Sequence, residues 1–233
     1  MVEPPTLRAP GTGCAAFWPE ATVAQVHRTI AAARRAEIPF RHWLLGDVLP
    51  GPVCDAVRIL PFEAPALGDI AGRRETRNGS RLFCGRDAQA RYGVCAALAH
   101  AYQDPRTVRA FEGLCGIDLA GSFLRIEFCL DTDGFWLEPH TDIGAKLLTH
   151  LVYLSTGPGA ETWGTDLLTP DGTLAARAEA VPNSGLVFVP AADTWHGFAP
   201  RPIRGIRRTL IVNYVRPEWR SRHELAFPTA PVG

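Results

Sequence analysis

The chain has 233 residues, of which 46% are hydrophobic and 21% charged, so it is long enough and apolar enough for one large globular domain. Basic and acidic residues both number 24, and a net charge of zero gives no strong field for nucleic acid or an acidic membrane surface. No apolar run approaches the roughly 18 residues that span a bilayer, and the N-terminus lacks a signal-peptide pattern. We therefore expect a cytoplasmic protein that acts on a small molecule, with no nucleic-acid or membrane partner. The oligomeric state is not indicated.

The first half of the chain has a helical pattern. Residues 1–20 contain four prolines and two glycines and are predicted to form a flexible arm. Residues 21–120 are predicted to be a helical and loop region, with a short strand near residue 43 that ends at Pro50. Helical spacing of apolar residues, with Asp104 as a cap, predicts helices over 21–37, 87–103 and 105–114.

The second half has a β pattern. After Gly121 the runs SFLRIEFCL, KLLTHLVYLS, GLVFVP and RRTLIVNYV are rich in β-branched and aromatic residues and are separated by turn signals. They predict an all-β sandwich or barrel over residues 121–216, with a C-terminal tail at 217–233. The whole chain, 1–233, is predicted to be a single domain that is mainly β with N-terminal helices.

The stretch EPHTDIGAK contains a possible metal-binding motif. It places His140 and Asp142 two residues apart, a pattern that is weak alone because chance produces it easily. His196 follows the strand GLVFVP, 54 residues beyond Asp142, so a β structure that turns back on itself would bring the three side chains together. Two imidazoles and one carboxylate on one face of a metal are the ligand set of non-haem Fe(II) oxygenases. A zinc site is the alternative.

A possible carboxylate-binding pair follows in the strand RRTLIVNYV. Alternate residues of a strand share a face, so Arg207 and Thr209 point the same way. A guanidinium can bind a carboxylate through two parallel hydrogen bonds, and a hydroxyl can donate a third. The alternative is that Arg207 is a surface residue beside Arg204 and Arg208.

The motifs HTD, TWHGF and RRTL, in this order, resemble those of the 2-oxoglutarate- and Fe(II)-dependent oxygenases, in particular the prolyl-hydroxylase-like branch. The stretch YLSTGPGAETWGTDLLTPDG is also similar to a segment of that branch, with Thr165 in place of a second glycine. The resemblance covers about residues 121–216. It implies a double-stranded β-helix, or jelly roll, in which His140, Asp142 and His196 hold Fe(II).

The resemblance also implies a cosubstrate site and a reaction. Arg207 and Thr209 would hold the distal carboxylate of 2-oxoglutarate, with Tyr153 and Thr149 lining the same pocket. With O2, such an enzyme hydroxylates an unactivated C–H bond and releases succinate and CO2, and we expect a small polar, amino-acid-like substrate. Halogenase chemistry is disfavoured because that variant lacks the carboxylate that Asp142 supplies. A peptidyl or protein hydroxylase, a cupin-like oxygenase without a keto acid and a non-catalytic jelly-roll binding module stay open as alternatives.

Several charged residues are candidates for binding the substrate. Arg125 and Glu127 share one face of a strand, and either point inward to each other and a polar substrate or outward to solvent. Glu138 has the strand parity of His140, which would aim it at the pocket. Arg77 and Arg81 lie in an arginine-rich loop that either closes over a substrate carboxylate or is solvated.

Aromatic and basic residues near the motifs complete the prediction. Trp136, Trp163 and Trp195 flank the metal motifs, and we expect at least one of them to line the pocket. Lys146 opens a strand and is expected to reach only water. His150 lies inside that strand and is interpreted as a structural residue of the core.

Overall fold

Two antiparallel β-sheets face each other across a cavity. The computed structural model describes residues 18–64, 72 and 81–233. Numbered in chain order, the strands of the large sheet lie side by side as β1 (Arg34–Ala36), β2 (His42–Leu45), β9 (Ser184–Phe188), β6 (Lys146–Tyr153), β11 (Arg207–Val215), β4 (Phe123–Asp131) and β3 (Arg81–Phe83). The small sheet has the order β5 (Leu137–His140), β10 (His196–Phe198), β7 (Asp166–Leu168) and β8 (Leu174–Arg177).

Helices cover the outer face of the large sheet. They are α1 (Trp18–Ala31), α2 (Gly51–Arg58), α3 (Arg86–Arg91), α4 (Gly93–Gln103) and α5 (Pro105–Cys115). The main core lies between them and the outward-facing residues of β4, β6 and β11, and the Tyr214 hydroxyl donates to the Tyr102 carbonyl at 2.6 Å across this layer. Within the described ranges, no helix has the length and apolar character needed to cross a membrane.

The predicted helices differ from the observed ones in two places. The predicted helix 21–37 begins three residues earlier, at Trp18, and ends at Ala31, because residues 34–36 pair with β2 and this tertiary pairing overrides local helix propensity. The predicted helix 87–103 is broken at Tyr92, whose φ of −127° and ψ of 110° are extended. The third helix is confirmed, with the Asp104 carboxylate accepting from the Arg106 amide at 2.8 Å.

The predicted C-terminal tail packs along the edge of the large sheet through one isolated β-bridge. Leu225 pairs with Arg125 of β4, and the amides of Ala226 and Val232 donate to the carbonyls of Leu124 and Ser122 at 2.9 and 2.8 Å. This segment therefore continues the edge of β4 beyond the short strand β3. The first seventeen residues of the predicted arm lie outside the described residues.

His150 is a core residue, as predicted from its place inside a strand. It is completely buried on the helix-facing side of β6, where its ring lies 5.5 Å from that of Phe111 and 6.0 Å from that of Tyr102. Burial lowers its pKa to about 4, so the imidazole is neutral in the folded protein at neutral pH.

Acidification is expected to destabilise the protein through His150. Between pH 6.5 and pH 4 the unfolded chain binds a proton at this residue that the folded chain does not. The free energy of unfolding therefore decreases as the pH is lowered. A folded pKa of about 4 against an ordinary 6.5 corresponds to a loss of about 3 kcal/mol at pH 4. Urea denaturation at several pH values should show a shallower dependence for His150→Phe and an unaltered one for the exposed His100→Gln. Identical pH profiles for wild type and His150→Phe would contradict this account.

Candidate metal centre and adjoining cavity

The three predicted metal ligands lie together at one end of the small sheet. His140 ends β5 and pairs directly with His196, which begins β10, while Asp142 lies in the loop that leads to β6. One possible ligand atom from each residue lies within 4.8 Å of the others, and the two imidazole centroids are 4.3 Å apart. This is the spacing required of side chains that could hold one metal ion.

Backbone carbonyls orient both imidazoles. Nδ1 of His140 donates to the Glu138 carbonyl at 2.8 Å, and Nδ1 of His196 donates to the Thr194 carbonyl at 2.9 Å. Because a carbonyl can only accept, Nδ1 of each ring carries a proton, which leaves Nε2 as the possible metal-ligating atom. Burial also lowers the pKa of His196 to about 4, which keeps this ring in the neutral, ligating form.

Asp142 is held as an ionised carboxylate. Burial alone would raise its pKa, but Lys146, His196 and Thr149 outweigh burial and hold the pKa well below its usual range. Lys146 Nζ lies 2.5 Å from Oδ1, and the Thr149 hydroxyl donates to Oδ2 at 2.6 Å. The expectation that Lys146 reaches only water is therefore wrong, since the chain turns between Asp142 and β6 and brings the ammonium back to the carboxylate.

Hydrogen bonds continue from Asp142 along the inner face of the large sheet. The side-chain amide of Asn213 donates to the Thr149 hydroxyl at 2.9 Å, and Nη1 of Arg125 donates to the Asn213 side-chain oxygen at 3.1 Å. β-Sheet register explains this order, because Asn213 pairs with Thr149 on one side and with Arg125 on the other. A buried relay therefore joins a candidate metal ligand to a residue proposed for substrate binding.

The candidate metal ligands open onto a cavity of about 420 Å³ between the two sheets. The small sheet contributes the two histidines with Leu137 and Phe198. From the large sheet the lining side chains are Arg125, Glu127, Thr149, Leu151, Arg207 and Ile211, which all belong to its inward-facing set. The cavity wall is therefore charged at its two ends, at Arg207 and at Arg125 with Glu127, and apolar between them at Leu151 and Ile211.

Arg207 forms the end of the cavity nearest the start of β11. It is 3% exposed, its Nε donates to the Trp163 carbonyl at 2.7 Å, and its Nη1 donates to Asp131 at 2.6 Å. The guanidinium carbon also lies 4.6 Å from the centre of the Phe198 ring. Arg207 is thus a buried, paired residue rather than a surface residue. Among the described residues, its Nη2 has no hydrogen-bond acceptor.

Tyr153, Thr165 and Thr209 surround the same end. The Tyr153 hydroxyl donates to the Thr165 hydroxyl at 2.8 Å and accepts from the Thr165 amide at 3.3 Å, so the threonine that replaces a glycine of the resemblance fixes this tyrosine. Thr165 lines the cavity, whereas Tyr153 and Thr209 lie next to it without lining it. The Thr209 hydroxyl is buried and has no hydrogen-bond partner among the described residues.

Arg125 and Glu127 face inward at the other end of the cavity. Nη1 of Arg125 donates to Oε1 of Glu127 at 2.7 Å, and Arg81 reaches Oε2 of the same carboxylate at 2.6 Å. Burial alone would lower the pKa of Arg125, but Glu127 and Glu224 raise it above its ordinary value, so the guanidinium is fully charged. Of the two orientations open from sequence, the structure has the inward one.

Solved structures of prolyl hydroxylases are similar in fold to this chain. A prolyl 4-hydroxylase from Pseudomonas putida superposes with a TM-score of 0.51 at 18% identity, over 83% of this chain and 94% of the other. A Trichoplax adhaerens prolyl hydroxylase, in complex with a hypoxia inducible factor oxygen degradation domain peptide, gives 0.53 at 12% identity over 89% and 94%. One from Phytophthora capsici gives 0.53 at 10% identity over 91% and 69%. No family model and no curated protein matches the sequence.

The fold is that of the prolyl hydroxylases. The resemblance inferred from the sequence motifs is thereby confirmed at the level of the fold. Within this prolyl-hydroxylase fold, the two candidate histidine ligands lie on the small sheet, Asp142 lies in the loop that follows β5, and the buried arginines lie on the large sheet.

Two predicted substrate contacts lie elsewhere. Trp136 borders a separate apolar cavity and packs against Gly72, where an added Cβ would clash with the indole ring. Glu138 does not line the metal cavity, because the pairing of β5 with β10 shifts by one residue and breaks the alternation that linked it to His140. The Glu138 backbone instead accepts from His140 and donates to Gly72. Arg77 lies outside the described residues.

The C-terminal segment supplies cavity residues that sequence reasoning missed. Trp219, Ser221 and Glu224 line the wall near Arg125, and Nε of Arg125 donates to Oε2 of Glu224 at 2.6 Å. No motif marks these residues, and Glu224 is 99 positions from its partner. Among the tryptophans of the described residues, Trp219 lines this cavity and the three predicted ones do not.

Removing the Thr149 hydroxyl is expected to weaken metal binding. Thr149→Val keeps the shape of the side chain but leaves Oδ2 of Asp142 without its donor, and loss of such an orienting partner lowers metal affinity by roughly 10-fold or more. Anaerobic calorimetric titration with Fe(II), or with Mn(II) as a redox-stable probe, measures this directly. The exposed Thr173→Val is the matched control. Equal affinities in the two variants would rule out this role for Thr149.

Proposed function

We propose that the protein is an Fe(II)- and 2-oxoglutarate-dependent dioxygenase that hydroxylates an unactivated C–H bond of a small polar, amino-acid-like molecule and releases succinate and CO2. The observation that carries the proposal is the convergence of two imidazoles and one ionised carboxylate on a cavity that also holds a buried arginine. The prolyl-hydroxylase fold supports it. We further infer that residues 1–233 are one domain and that the facing sheets are the two halves of a double-stranded β-helix.

The proposed iron site uses groups that are already in ligating form. Nε2 of His140, Nε2 of His196 and a carboxylate oxygen of Asp142 would hold the metal and leave its remaining positions to the cavity. Iron and 2-oxoglutarate together supply the activation of O2 when they are bound. The protein's residues supply placement, charge balance and exclusion of water.

The proposed 2-oxoglutarate site lies at the Arg207 end of the cavity. Nη2 of Arg207 can donate to the distal carboxylate, while Asp131 and the Trp163 carbonyl fix the guanidinium in place. A second carboxylate oxygen would satisfy the buried Thr209 hydroxyl, which otherwise lacks a partner among the described residues. Tyr153 would not contact the cosubstrate directly but would position Thr165 through their hydrogen bond. Thr149 donates its hydrogen bond to Asp142 and is therefore assigned to the metal site rather than to the distal carboxylate.

A peptidyl or protein hydroxylase is the second candidate. It is favoured by the fold, since the Trichoplax adhaerens enzyme is seen in complex with a peptide. The buried ionic residues of this cavity favour the small polar substrate instead, because buried charged side chains match a charged head group better than a neutral peptide backbone. Succinate release that is stimulated by short peptides but not by free amino acids would show that the protein is a peptidyl hydroxylase.

Anaerobic addition of Fe(II) and 2-oxoglutarate should produce the visible charge-transfer band of an iron–keto acid chelate. Absence of the band would refute the proposal. Iron binding that is unaffected by 2-oxoglutarate would point to the cupin-like oxygenase, and binding of neither would leave the non-catalytic binding module. Zn(II) in place of iron in the purified protein would favour the zinc alternative.

Variants separate the roles of the metal ligands and Arg207. His140→Ala should abolish iron binding. The double variant Asp131→Asn, Arg207→Gln removes both charges of the buried Asp131–Arg207 ion pair, and it should keep iron affinity while raising the 2-oxoglutarate concentration needed for the chelate band by roughly 10-fold or more. Asp131→Asn alone retains the guanidinium and should retain 2-oxoglutarate binding. Equal loss of iron in His140→Ala and the double variant would contradict this division.

A further inference from the structure

We propose that the ionic cluster formed by Arg81, Arg125, Glu127 and Glu224 is the binding site for the zwitterionic head group of a free α-amino acid. Glu224 would accept the substrate ammonium group and Arg81 would bind its carboxylate. This inference rests on the proposed function and names the substrate class of the same cavity.

Arg125 is the fixed centre of the ionic cluster. It is 2% exposed, and its three guanidinium nitrogens already donate to Glu224, Glu127 and Asn213 at distances between 2.6 and 3.2 Å. Phe83 and Trp219 pack on the guanidinium with ring centres 5.0 and 5.1 Å from its central carbon. A guanidinium with four hydrogen bonds and two packed aromatic rings is a support for its neighbours rather than the main ligand for a substrate.

Glu224 and Arg81 carry the unused hydrogen-bonding capacity of the cluster. Among the described residues, the side chain of Glu224 accepts hydrogen bonds through Oε2 only, which leaves Oε1 as an acceptor. Arg81 uses Nε and Nη2 on Glu127, which leaves Nη1 as a charged donor. Both residues line the cavity. The wall therefore presents one anionic acceptor and one cationic donor, which match an ammonium group and a carboxylate.

Charge balance favours a zwitterion over a simple acid or amine. In the described part of the wall, the four cations Arg81, Arg125, Lys146 and Arg207 are each paired with acidic side chains, namely Glu127, Glu224, Asp142 and Asp131. Divalent iron and the dianion of 2-oxoglutarate also sum to zero. Against this described set, a substrate with net charge would add a charge that has no partner in it, which is costly, whereas a zwitterion adds no net charge.

Trp219 gives a separate indication of a polar ligand at this wall. Its indole Nε1 is buried and has no acceptor among the described residues. Buried donors of this kind are normally satisfied. A carboxylate oxygen bound beside Arg81 would provide an acceptor in the same part of the cavity, to which Trp219 and Glu224 are both brought by the C-terminal segment.

The test uses three matched sets of compounds with the full chain, Fe(II) and 2-oxoglutarate: free α-amino acids, their N-acetyl forms and their methyl esters. Binding is read anaerobically as a change in the chelate band, and turnover is read in air as succinate release. We expect responses from free amino acids alone. Glu224→Gln should weaken the best responder by roughly 10- to 100-fold and remove its advantage over the N-acetyl form. Arg81→Gln should instead remove the advantage over the methyl ester.

The exposed Glu218→Gln, in the same segment, is the matched control and should behave as wild type. A general loss of structure in Glu224→Gln would lower both compounds together, so the ratio of free to N-acetyl responses separates recognition from folding. N-acetyl forms that bind as well as free amino acids would overturn the inference. So would an intact chelate band with no responding amino acid, an outcome that leaves the proposed function standing. A missing band would refute the proposed function, and the inference with it.

Discussion

Charges that face inward from a β-sheet have to be paired, and the inner face of the large sheet is organised around this requirement. Arg207 of β11 pairs with Asp131 directly opposite on β4, and Arg125 meets Asn213 of the same strand pair six residues along. A slip of one residue would turn these groups into the apolar layer beneath the helices. Strand register and the chemistry of the cavity are therefore fixed by the same contacts.

Sequence reasoning located the features that depend on local pattern. The long strands β4, β6 and β11, the Asp104 cap and the three candidate metal ligands all follow from periodicity or spacing within short stretches. Inward pointing of Arg207 also followed, because alternation is reliable in a regular strand of nine residues.

Features that depend on contacts between distant parts of the chain could not be predicted from local sequence pattern. Strands β5, β7, β8 and β10 have only three or four residues, too few for a period to show. The bulge that displaces Glu138 comes from the pairing of β5 with β10, far along the chain. The C-terminal segment carries turn residues and charges that are typical of a tail, and its place beside β4 is decided by edge hydrogen bonds and by the Arg125–Glu224 pair.

The relay from Asp142 through Thr149 and Asn213 to Arg125 would link the two proposed binding events thermodynamically. Three successive hydrogen bonds of 2.6, 2.9 and 3.1 Å join the candidate metal-ligating carboxylate to the centre of the ionic cluster. Any ligand that displaces Arg125 changes the setting of that carboxylate, and so changes the affinity for metal. By reciprocity, metal occupancy changes the affinity for that ligand by the same factor, so the order in which the two bind alters rates but not the final populations.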